Sequence, residues 1–345
     1  MTTGVRIASG VDPRLRPAEA ARRCVELEQL GYDSVHLAET VHDPMATALL
    51  AAELTHAITL RTAVVVAFAR SPTLLAYQAL DAQIASSGRF ELGLGTQIRQ
   101  VIEGRYAMNW SSPVERLRDH VVAIRALLDA FIVGEQTSVA TETLAIDRVP
   151  AYFNPGPAEG TIAPPILVGA VRPRMLAMAG SIADGVITHP TNSDRVAMAT
   201  LVTPILTKAA TDAGRPAPRV IASPNVVTGP DTASLQPELA RQRQLFGFLL
   251  TTPAYTAALD RLGVPDLAGR LRQHLRDTGE TGLGDILPDD VLDAIVPTAT
   301  YANLPGLLTE RYGAMVDELV VTLPAGINPT MATELIGELR SIPRR

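Results

Sequence analysis

The chain alternates apolar, strand-like segments with amphipathic helical segments, and this alternation limits its fold more than any other feature. The strand-like segments are apolar throughout, as expected of strands that are buried on both faces. Eight of them occur, at residues 5–8, 34–38, 60–68, 90–94, 165–168, 185–188, 220–227 and 318–323. Eight strand-helix units in one chain predict an α/β fold, a (β/α)8 TIM barrel, rather than a doubly wound sheet.

Several helical segments begin with a capping residue followed by proline. Asp43-Pro44 and Ser71-Pro72 place a capping side chain directly before proline, which is favoured at the first helical position. Residues 112–115, Ser-Pro-Val-Glu, have the pattern of a capping box, and apolar residues recur at helical spacing from there to residue 131. These patterns predict helices after the second, third and fourth strands.

The length of 345 residues exceeds what a barrel needs. A (β/α)8 barrel takes about 250 residues. The surplus falls mainly in two insertions, at about 134–163 and 229–292. We predict a single domain over residues 1–345, with both insertions at the C-terminal face of the barrel, where the active-site loops of this fold lie.

Charge and composition exclude several classes of function. The chain has 30 basic and 36 acidic residues, a net charge of −6, so no basic excess is available to bind a phosphate backbone, and we predict no nucleic-acid partner. Lys208 is the only lysine and has no glycine-rich loop beside it. This excludes a Walker P-loop, which needs a lysine in such a loop. It also disfavours Schiff-base catalysis, which needs a lysine at the active site.

The cysteine count and the N-terminal segment bear on the compartment. Cys24 is the only cysteine, so the chain cannot form an internal disulfide or a cysteine-based zinc site. Residues 1–6 lack a secretory pattern, and no apolar run approaches eighteen residues without a charge or a proline. We predict a cytoplasmic protein with no membrane span.

Two of the six histidines are candidates for chemistry. No H-x-H or H-E-x-x-H pattern occurs, so no metal site is predicted. His42 and His189 follow the second and sixth strands by a few residues, which places them at the catalytic face of a barrel, and Glu39 shares the loop of His42. Each histidine is a candidate for catalysis, for a turn, or for contact with a ligand. No hydrolase elbow occurs, and although Glu39 could be one carboxylate of a glycosidase, strands four and seven end without acids, so a glycosidase is disfavoured.

Two glycine-containing segments follow strands. Gly93-Leu94-Gly95 has Ile98 where a dinucleotide fingerprint has its last glycine, and it comes after the first βα turn, so it indicates only a tight turn or a close approach to a ligand. Residues 168–173 follow the fifth strand and open a helix, with Arg172 and Arg174 alongside. Backbone amides there suit a phosphate, although a short βα turn has the same composition.

Several segments together resemble the luciferase-like monooxygenase superfamily, over nearly the whole chain. They are Leu-Ala-Glu-Thr-Val-His-Asp-Pro at 37–44, Phe-Ala-Arg-Ser-Pro at 68–72, Ser-Gly-Arg-Phe-Glu-Leu-Gly-Leu-Gly-Thr-Gln at 87–97 and Ala-Asp-Gly-Val at 183–186. Gly95-Thr96-Gln97, Arg105-Tyr106 and residues 110–113 are similar to the actinobacterial branch that uses the deazaflavin coenzyme F420.

The resemblance implies a deazaflavin or flavin (F420, or alternatively FMN) at the C-terminal mouth of the barrel. In relatives, a bulge in the third strand, often with a non-proline cis peptide, supports the ring. The resemblance implies these cofactor contacts: Val65, Val66 and Ala67 at the bulge, Glu39 at the polar edge of the ring, Thr96 and Gln97 beside it, Gly169, Ala170, Val171 and Arg172 at the phosphate, with Arg99 and His189 as further contacts.

The chain departs from the sugar-phosphate dehydrogenases of this superfamily. Those enzymes have an Asp-His pair after strand two and a glutamate after strand four, whereas Glu39-Thr40 and Gln97 stand at the matching positions here. A sugar oxidase is therefore disfavoured, because its acid and base are absent. His42 is our substitute proton donor, and Tyr106 and Gln97 are further catalytic candidates.

These expectations define one hypothesis and two rivals. The hypothesis is an F420H2-dependent reductase that transfers hydride to an activated C=C or C=N bond of a small molecule or modified peptide, in a homodimeric protein. The first rival is a two-component FMN-dependent monooxygenase, which would use the same barrel. The second is a non-catalytic barrel that has lost the cofactor, since the Asp-His pair is missing.

Overall fold

Eight parallel strands close into a barrel in the computed structural model, which describes residues 4–345. Met1, Thr2 and Thr3, the first half of the N-terminal segment considered above, lie outside the described residues. The strands are β1 Arg6–Gly10, β2 Ser34–Leu37, β3 Thr59–Thr62, β4 Phe90–Gly95, β5 Ile166–Gly169, β6 Gly185–Ile187, β7 Arg219–Ala222 and β8 Glu318–Val320. Each pairs with the next in parallel, and β1 pairs with β8, which closes the sheet. The predicted (β/α)8 barrel is confirmed.

A ring of helices surrounds the barrel, and each helix has proline in its first two positions. The helices, in order, are Pro17–Gln29, Pro44–Leu54, Pro72–Ala85, Pro113–Val133, Pro173–Ile182, Thr203–Asp212, Leu304–Tyr312 and Pro329–Leu339. Proline suits this place because its fixed φ is helical and the first amides have no intrahelical acceptor. Along residues 4–345, no helix is both long and apolar enough to cross a membrane.

The helix caps follow the sequence in two cases and depart from it in one. The side chains of Asp43 and Ser71 accept hydrogen bonds from the amides of Met45 and Leu74, as predicted. The capping box predicted at residues 112–115 does not form. Ser112 makes no side-chain cap, and the Glu115 carboxylate binds Arg174, 2.6 Å away, instead.

Two predicted strands are shorter than their apolar runs. The run at 60–68 is interrupted after β3 by a cis peptide between Ala63 and Val64, then continues as Val65–Val66 and a 3-10 turn, Ala67–Ala69. The run at 220–227 ends at Ala222. Val227–Gly229 instead pairs in parallel with Thr298–Thr300, outside the barrel.

The two insertions occupy different ends of the barrel. Residues 134–163 connect the end of the helix Pro113–Val133 to the start of β5, so they leave from the N-terminal face, not the predicted C-terminal face. Their hairpin, Thr137–Ala140 with Ala145–Val149, lies along that helix, where Asp119 accepts two hydrogen bonds from Thr143.

The second insertion follows β7 at the C-terminal face, as predicted. It contains the helices Thr232–Leu249, Ala257–Arg261, Leu267–Thr278, Leu283–Ile286 and Asp289–Ile295. These helices bury a hydrophobic cluster of their own, around Phe246 and Leu271, which is separate from that of the barrel. The insertion is thus a small packed unit rather than a loose loop.

The N-terminal end of the barrel interior holds a buried ionic cluster. Arg61, fully buried, donates to Glu318 at 2.6 and 3.0 Å and to Glu91 at 2.6 Å, and Arg219 binds the other oxygen of Glu91 at 2.7 Å. Burial alone would raise the pKa of Glu318, but the charge of Arg61 outweighs it and the pKa lies well below its usual range. These charges replace the apolar side chains that usually fill this part of a barrel.

His36 belongs to the same cluster and stays neutral. Its Nε2 lies 2.8 Å from the Arg61 guanidinium, which can only donate, so the ring proton is on Nδ1. Burial, with Arg61 beside it, lowers the pKa of His36 to about 3. The folded protein therefore resists protonation of this ring.

His36 should make stability depend on pH. Its folded pKa lies below the unfolded value of about 6.5, so the unfolded chain takes up this proton first, and stability falls as pH drops from about 6.5 towards 3. The contribution is about 1.4 kcal/mol per pH unit. We expect urea unfolding of His36→Gln, which keeps an acceptor for Arg61, to show a pH slope shallower by about that amount. Equal slopes in both proteins would contradict the assignment.

Candidate active site

Small residues form the rim of the barrel at its C-terminal end. Because side chains alternate along each strand, the residues two positions beyond the last buried inward ones also face the barrel axis. Around the rim these are Gly10, Ala38, Ala63, Gly95, Gly169, His189, Ser223 and Thr322. Three glycines and two alanines leave an open, shallow bowl above the buried layer.

Val64 forms a shelf in this bowl. Ala63 and Val64, on either side of the cis peptide, are half-buried and pack on the apolar layer below, which includes Leu167 and Ile221. A Cβ on Gly95 would overlap Cγ2 of Val64, and one on Gly169 would lie 3.2 Å from its Cγ1. Glycine at both strand ends is therefore what allows the valine side chain to lie flat across the mouth, a surface that fits a planar ring.

Glu39 lies at the edge of the bowl with its carboxylate fixed on both oxygens. Oε2 accepts from the Val66 amide and from the Arg70 guanidinium, both at 2.7 Å, and Oε1 accepts from the Tyr106 hydroxyl at 2.9 Å. Arg70 also pairs with Asp43 at 3.2 Å. Burial alone would lower the pKa of Arg70, but the two carboxylates raise it, so this guanidinium remains charged.

The loop after β4 closes against the loop after β2. Arg105 donates to the carbonyl of Thr40, and Tyr106 donates to Glu39. Burial raises the pKa of Tyr106, and the Glu39 carboxylate raises it further. The phenol therefore keeps its proton, which it donates to an oxygen that can only accept.

The loop after β5 presents the start of a helix to the bowl. Asn192 donates to the carbonyls of Ala170 and Val171 at 3.0 and 3.4 Å, which orients the turn. The helix Pro173–Ile182 has no side-chain cap at its N-terminus, so its first amides are available to an anion. The exposed side chain of Arg172 reaches the carbonyl of Pro253 in the second insertion, at 2.9 Å.

His189, after β6, is held in place on the side of the bowl opposite Glu39. Its ring stacks on Tyr255 of the second insertion, with centroids 4.4 Å apart and planes 5° from parallel, and Nδ1 contacts Thr191. Burial lowers the pKa of His189 to about 4, so the ring is neutral near pH 7. Arg261, from the same insertion, donates to the Thr191 carbonyl at 3.1 Å.

Comparison with known proteins decides the family. The model of the luciferase-like monooxygenase family matches residues 1–318. The chain belongs to the luciferase-like monooxygenase family. An uncharacterized protein of Mycobacterium tuberculosis, Rv1360, is 35% identical over 306 residues, covering 88% of this chain and 89% of that protein. The resemblance inferred from the sequence is confirmed.

Two reductases are also similar to this family member. The 5,10-methylenetetrahydromethanopterin reductase of Methanolobus tindarius is 25% identical over 350 residues, covering 98% of this chain and 99% of the reductase. The structure of the coenzyme F420 dependent tetrahydromethanopterin reductase from Methanopyrus kandleri superposes with a TM-score of 0.76 at 19% identity, and the match covers 99% of both chains. The second likeness supports the barrel fold.

The bulge of this luciferase-like protein lies earlier in the strand than the sequence resemblance placed it. Val65, Val66 and Ala67 are buried in the core, at 0%, 3% and 0% exposure, and do not line the bowl. The cis peptide and the half-buried shelf are at Ala63 and Val64. Placement by motif is accurate to a few residues, and in a strand a shift of one residue reverses the direction of the side chain.

The loop after β4 brings only some of its predicted residues to the site. Thr96 is half-buried at the strand end, whereas Gln97 is exposed, has φ +60°, and accepts from the amide of Ile98 through its own side chain. Arg99 is exposed and pairs with Glu103 at 3.0 Å. His42, three residues after Glu39 in the sequence, is half-buried.

Sequence reasoning missed several residues that build the site. Arg70 lies in the Phe-Ala-Arg-Ser-Pro segment used for the resemblance, but nothing in the sequence linked it to Glu39, 31 residues earlier. Ser223 was missed because strand seven was predicted to continue to residue 227, which placed Ser223 inside the strand rather than just beyond its end. Within residues 4–345, no group of three or more His, Cys, Asp or Glu side chains has the arrangement of a metal site.

Proposed function

We propose that the protein is an F420-dependent oxidoreductase that reduces an activated C=C or C=N bond of a small molecule or modified peptide. The observation that carries this proposal is the flat Val64 shelf with a fully fixed carboxylate, Glu39, at its edge. The choice of coenzyme is supported by the similar structure from Methanopyrus kandleri, which is described as a coenzyme F420 dependent reductase. The bowl of small residues fits the planar ring of a deazaflavin or a flavin.

Within this proposal, the chain's own residues hold the ring and its tail. Reduced F420 would supply the hydride from C5 of its ring. Val64 supports the flat face, and the Glu39 carboxylate, held by Val66, Arg70 and Tyr106, lies at the polar edge. Thr96 lies beside the ring. The amides of Val171 and Arg172 and the uncapped helix start bind the phosphate, whereas the Ala170 amide already donates to the Ile187 carbonyl at 3.2 Å.

The proton that completes the reduction comes, in this proposal, from His42. Tyr106 is less suited to the role because its hydroxyl already donates to Glu39 and its pKa is raised. Its role is to align the carboxylate and to close the loop after β4 over the bowl.

Coenzyme titration tests the proposal. F420 should bind the wild-type protein at least tenfold more tightly than FMN, as measured by fluorescence. Glu39→Gln should weaken F420 binding about tenfold, whereas Glu103→Gln, an exposed residue of the short helix Arg99–Gly104 after β4, should not. Tight FMN binding without F420 binding would support the two-component monooxygenase instead, and binding of neither would support a non-catalytic barrel.

We also propose that a second copy of the chain covers one side of the barrel. The helices Pro44–Leu54 and Pro72–Ala85 each contain a single charged residue and are apolar all round, a composition typical of buried helices. Their outer faces expose Leu50, Leu54, Leu74 and Ile84, each at 45–50%. A two-fold axis through this face would bury the same patch on both subunits.

Disruption of this face should separate the subunits. We expect the double variant Leu50→Glu with Leu74→Glu to sediment as a monomer, because facing carboxylates repel one another in an isologous contact. Val133→Glu, at a residue that is 59% exposed at the end of another helix, should leave the dimer intact. A monomeric wild-type protein in analytical ultracentrifugation would contradict the proposal.

A further inference from the structure

His189 has one ring nitrogen that is already used and one that is free. Nδ1 lies 3.3 Å from the backbone amide of Thr191, which can only donate, so Nδ1 must accept and the ring proton is on Nε2. The stack on Tyr255 fixes the plane of the ring. Within residues 4–345, Nε2 makes no hydrogen bond, so its N–H is a free donor.

Ser223 lies next to His189 on the inner wall. Ile187 of β6 pairs with Ile221 of β7, so two residues further along the strands His189 lies beside Ser223, and both face the barrel axis. The Ser223 hydroxyl is sheltered and has no partner among the described residues. Because Ser223 also borders the bowl, rotation about its Cα–Cβ bond would let this unused hydroxyl donate to a ligand there.

This pair faces the polar edge of the proposed ring site. In a closed ring of eight strands, β2 and β6 are four strands apart, so Glu39 and His189 lie on opposite sides of the mouth with the Val64 shelf between them. The sequence resemblance grouped His189 with the cofactor. Its place opposite Glu39 favours the substrate side of the bowl instead.

The donors around the pair are uncharged. Near pH 7 the ring of His189 is neutral. Arg261, which binds the Thr191 carbonyl, lies 3.6 Å from the carboxylate of Asp194. Two neutral donors suit an uncharged acceptor oxygen better than a phosphate or a carboxylate.

We propose that the Nε2–H of His189 and the hydroxyl of Ser223 bind the carbonyl oxygen of an α,β-unsaturated carbonyl substrate. The inference rests on the proposed reductase function and specifies its substrate class. Hydride from the reduced coenzyme adds to the β carbon, the C=C electron pair shifts towards the carbonyl, and the oxygen becomes an enolate. The two donors stabilise that charge as an oxyanion hole does. A proton at the α carbon completes the reduction, and the coenzyme is oxidised by two electrons.

Nuclear magnetic resonance tests the donor directly. In protein labelled with 15N-histidine, the His189 signals, assigned by their loss in His189→Phe, should show a neutral Nε2–H tautomer at pH 7. Cyclohex-2-en-1-one added to the complex with oxidised F420, which cannot turn over, should shift the Nε2 signal, whereas cyclohexane should not. A His189 ring protonated on Nδ1, or an unmoved signal, would overturn the inference.

Steady-state kinetics with reduced F420 and the same enone gives the second test. Ser223→Ala and His189→Phe, which keeps a ring against Tyr255, should each lower kcat/KM about 100-fold while the Kd for F420 stays within twofold. The matched control is Thr228→Val, which removes another sheltered, unpartnered hydroxyl outside the bowl and should change neither.

These experiments distinguish failure of the substrate role of His189 and Ser223 from failure of the proposed F420-dependent function. Loss of F420 affinity in step with kcat/KM would assign the pair to the cofactor and overturn the substrate role, as would unchanged kinetics in both variants. A wild-type protein that does not bind F420 would overturn the proposed function, and the inference with it.

Discussion

Replacement of Arg61 with methionine is expected to lower the free energy of unfolding by about 3–5 kcal/mol, the largest stability effect that this structure predicts. Arg61 is fully buried and binds Glu318 and Glu91. Without it, the buried Glu318 carboxylate keeps, among residues 4–345, only the Ser34 hydroxyl and, at 3.8 Å, Arg6 as partners. An uncompensated charge in the barrel interior costs far more than the lost contacts of one side chain.

Urea unfolding at pH 7 measures this effect, and two variants define its cause. Arg23→Met breaks an exposed pair with Glu26 and should change stability by less than about 0.5 kcal/mol. Adding Glu318→Gln to Arg61→Met should recover part of the loss, because it removes the stranded charge. A double variant less stable than Arg61→Met alone would show that packing, not charge, dominates.

The substitution of Gly95 by alanine should have the largest effect on ligand binding. The new methyl group would overlap Cγ2 of Val64 and push the shelf towards the space above it. A displacement of about 1 Å at a positioned ring can cost about 100-fold, so we expect the Kd for F420 to rise by that order. Stability should change less than binding, because the rim is open on the ligand side.

A second substitution in Val64 provides the rescue. In Gly95→Ala with Val64→Ala, the clashing methyl is gone and the nearest remaining atom is Cβ of residue 64, at 3.5 Å, an ordinary contact. F420 affinity should return to that of the single variant Val64→Ala, which lacks the shelf in the same way. Gly337→Ala, in a helix with open space around it, is the control and should leave affinity unchanged. Failure of the rescue would disprove the steric explanation.

The barrel could be predicted from the sequence because its strand-helix unit repeats along the chain. Apolar runs and proline-started helices repeat eight times, so an error in one unit does not change the fold. The boundaries failed where one apolar run contains two structures: the run at 60–68 contains the Ala63–Val64 cis peptide, and the run at 220–227 ends its barrel strand at Ala222. A hydrophobicity pattern does not distinguish a strand from the apolar segment that follows it.

The site was predicted in part, because individual loops can be read from the sequence but contacts between loops cannot. Glu39 was found from its place after a strand, whereas its partner Arg70 depends on how two loops meet. Arg61 and Glu91 each stand in an apolar strand as a single charged residue. That signal of an inward-facing pair was present, although the sequence does not show which charges meet.

The second insertion is joined to the barrel by two short strands that lie side by side. Val227–Gly229 pairs directly with Thr298–Thr300, and the segment between them has its own buried core. A segment with adjacent ends and an independent core can be exchanged as a unit without redesign of the rest of the chain. Tyr255 and Arg261 reach the bowl from this segment. Such an exchange would therefore replace the residues on one side of the bowl and leave the barrel unchanged.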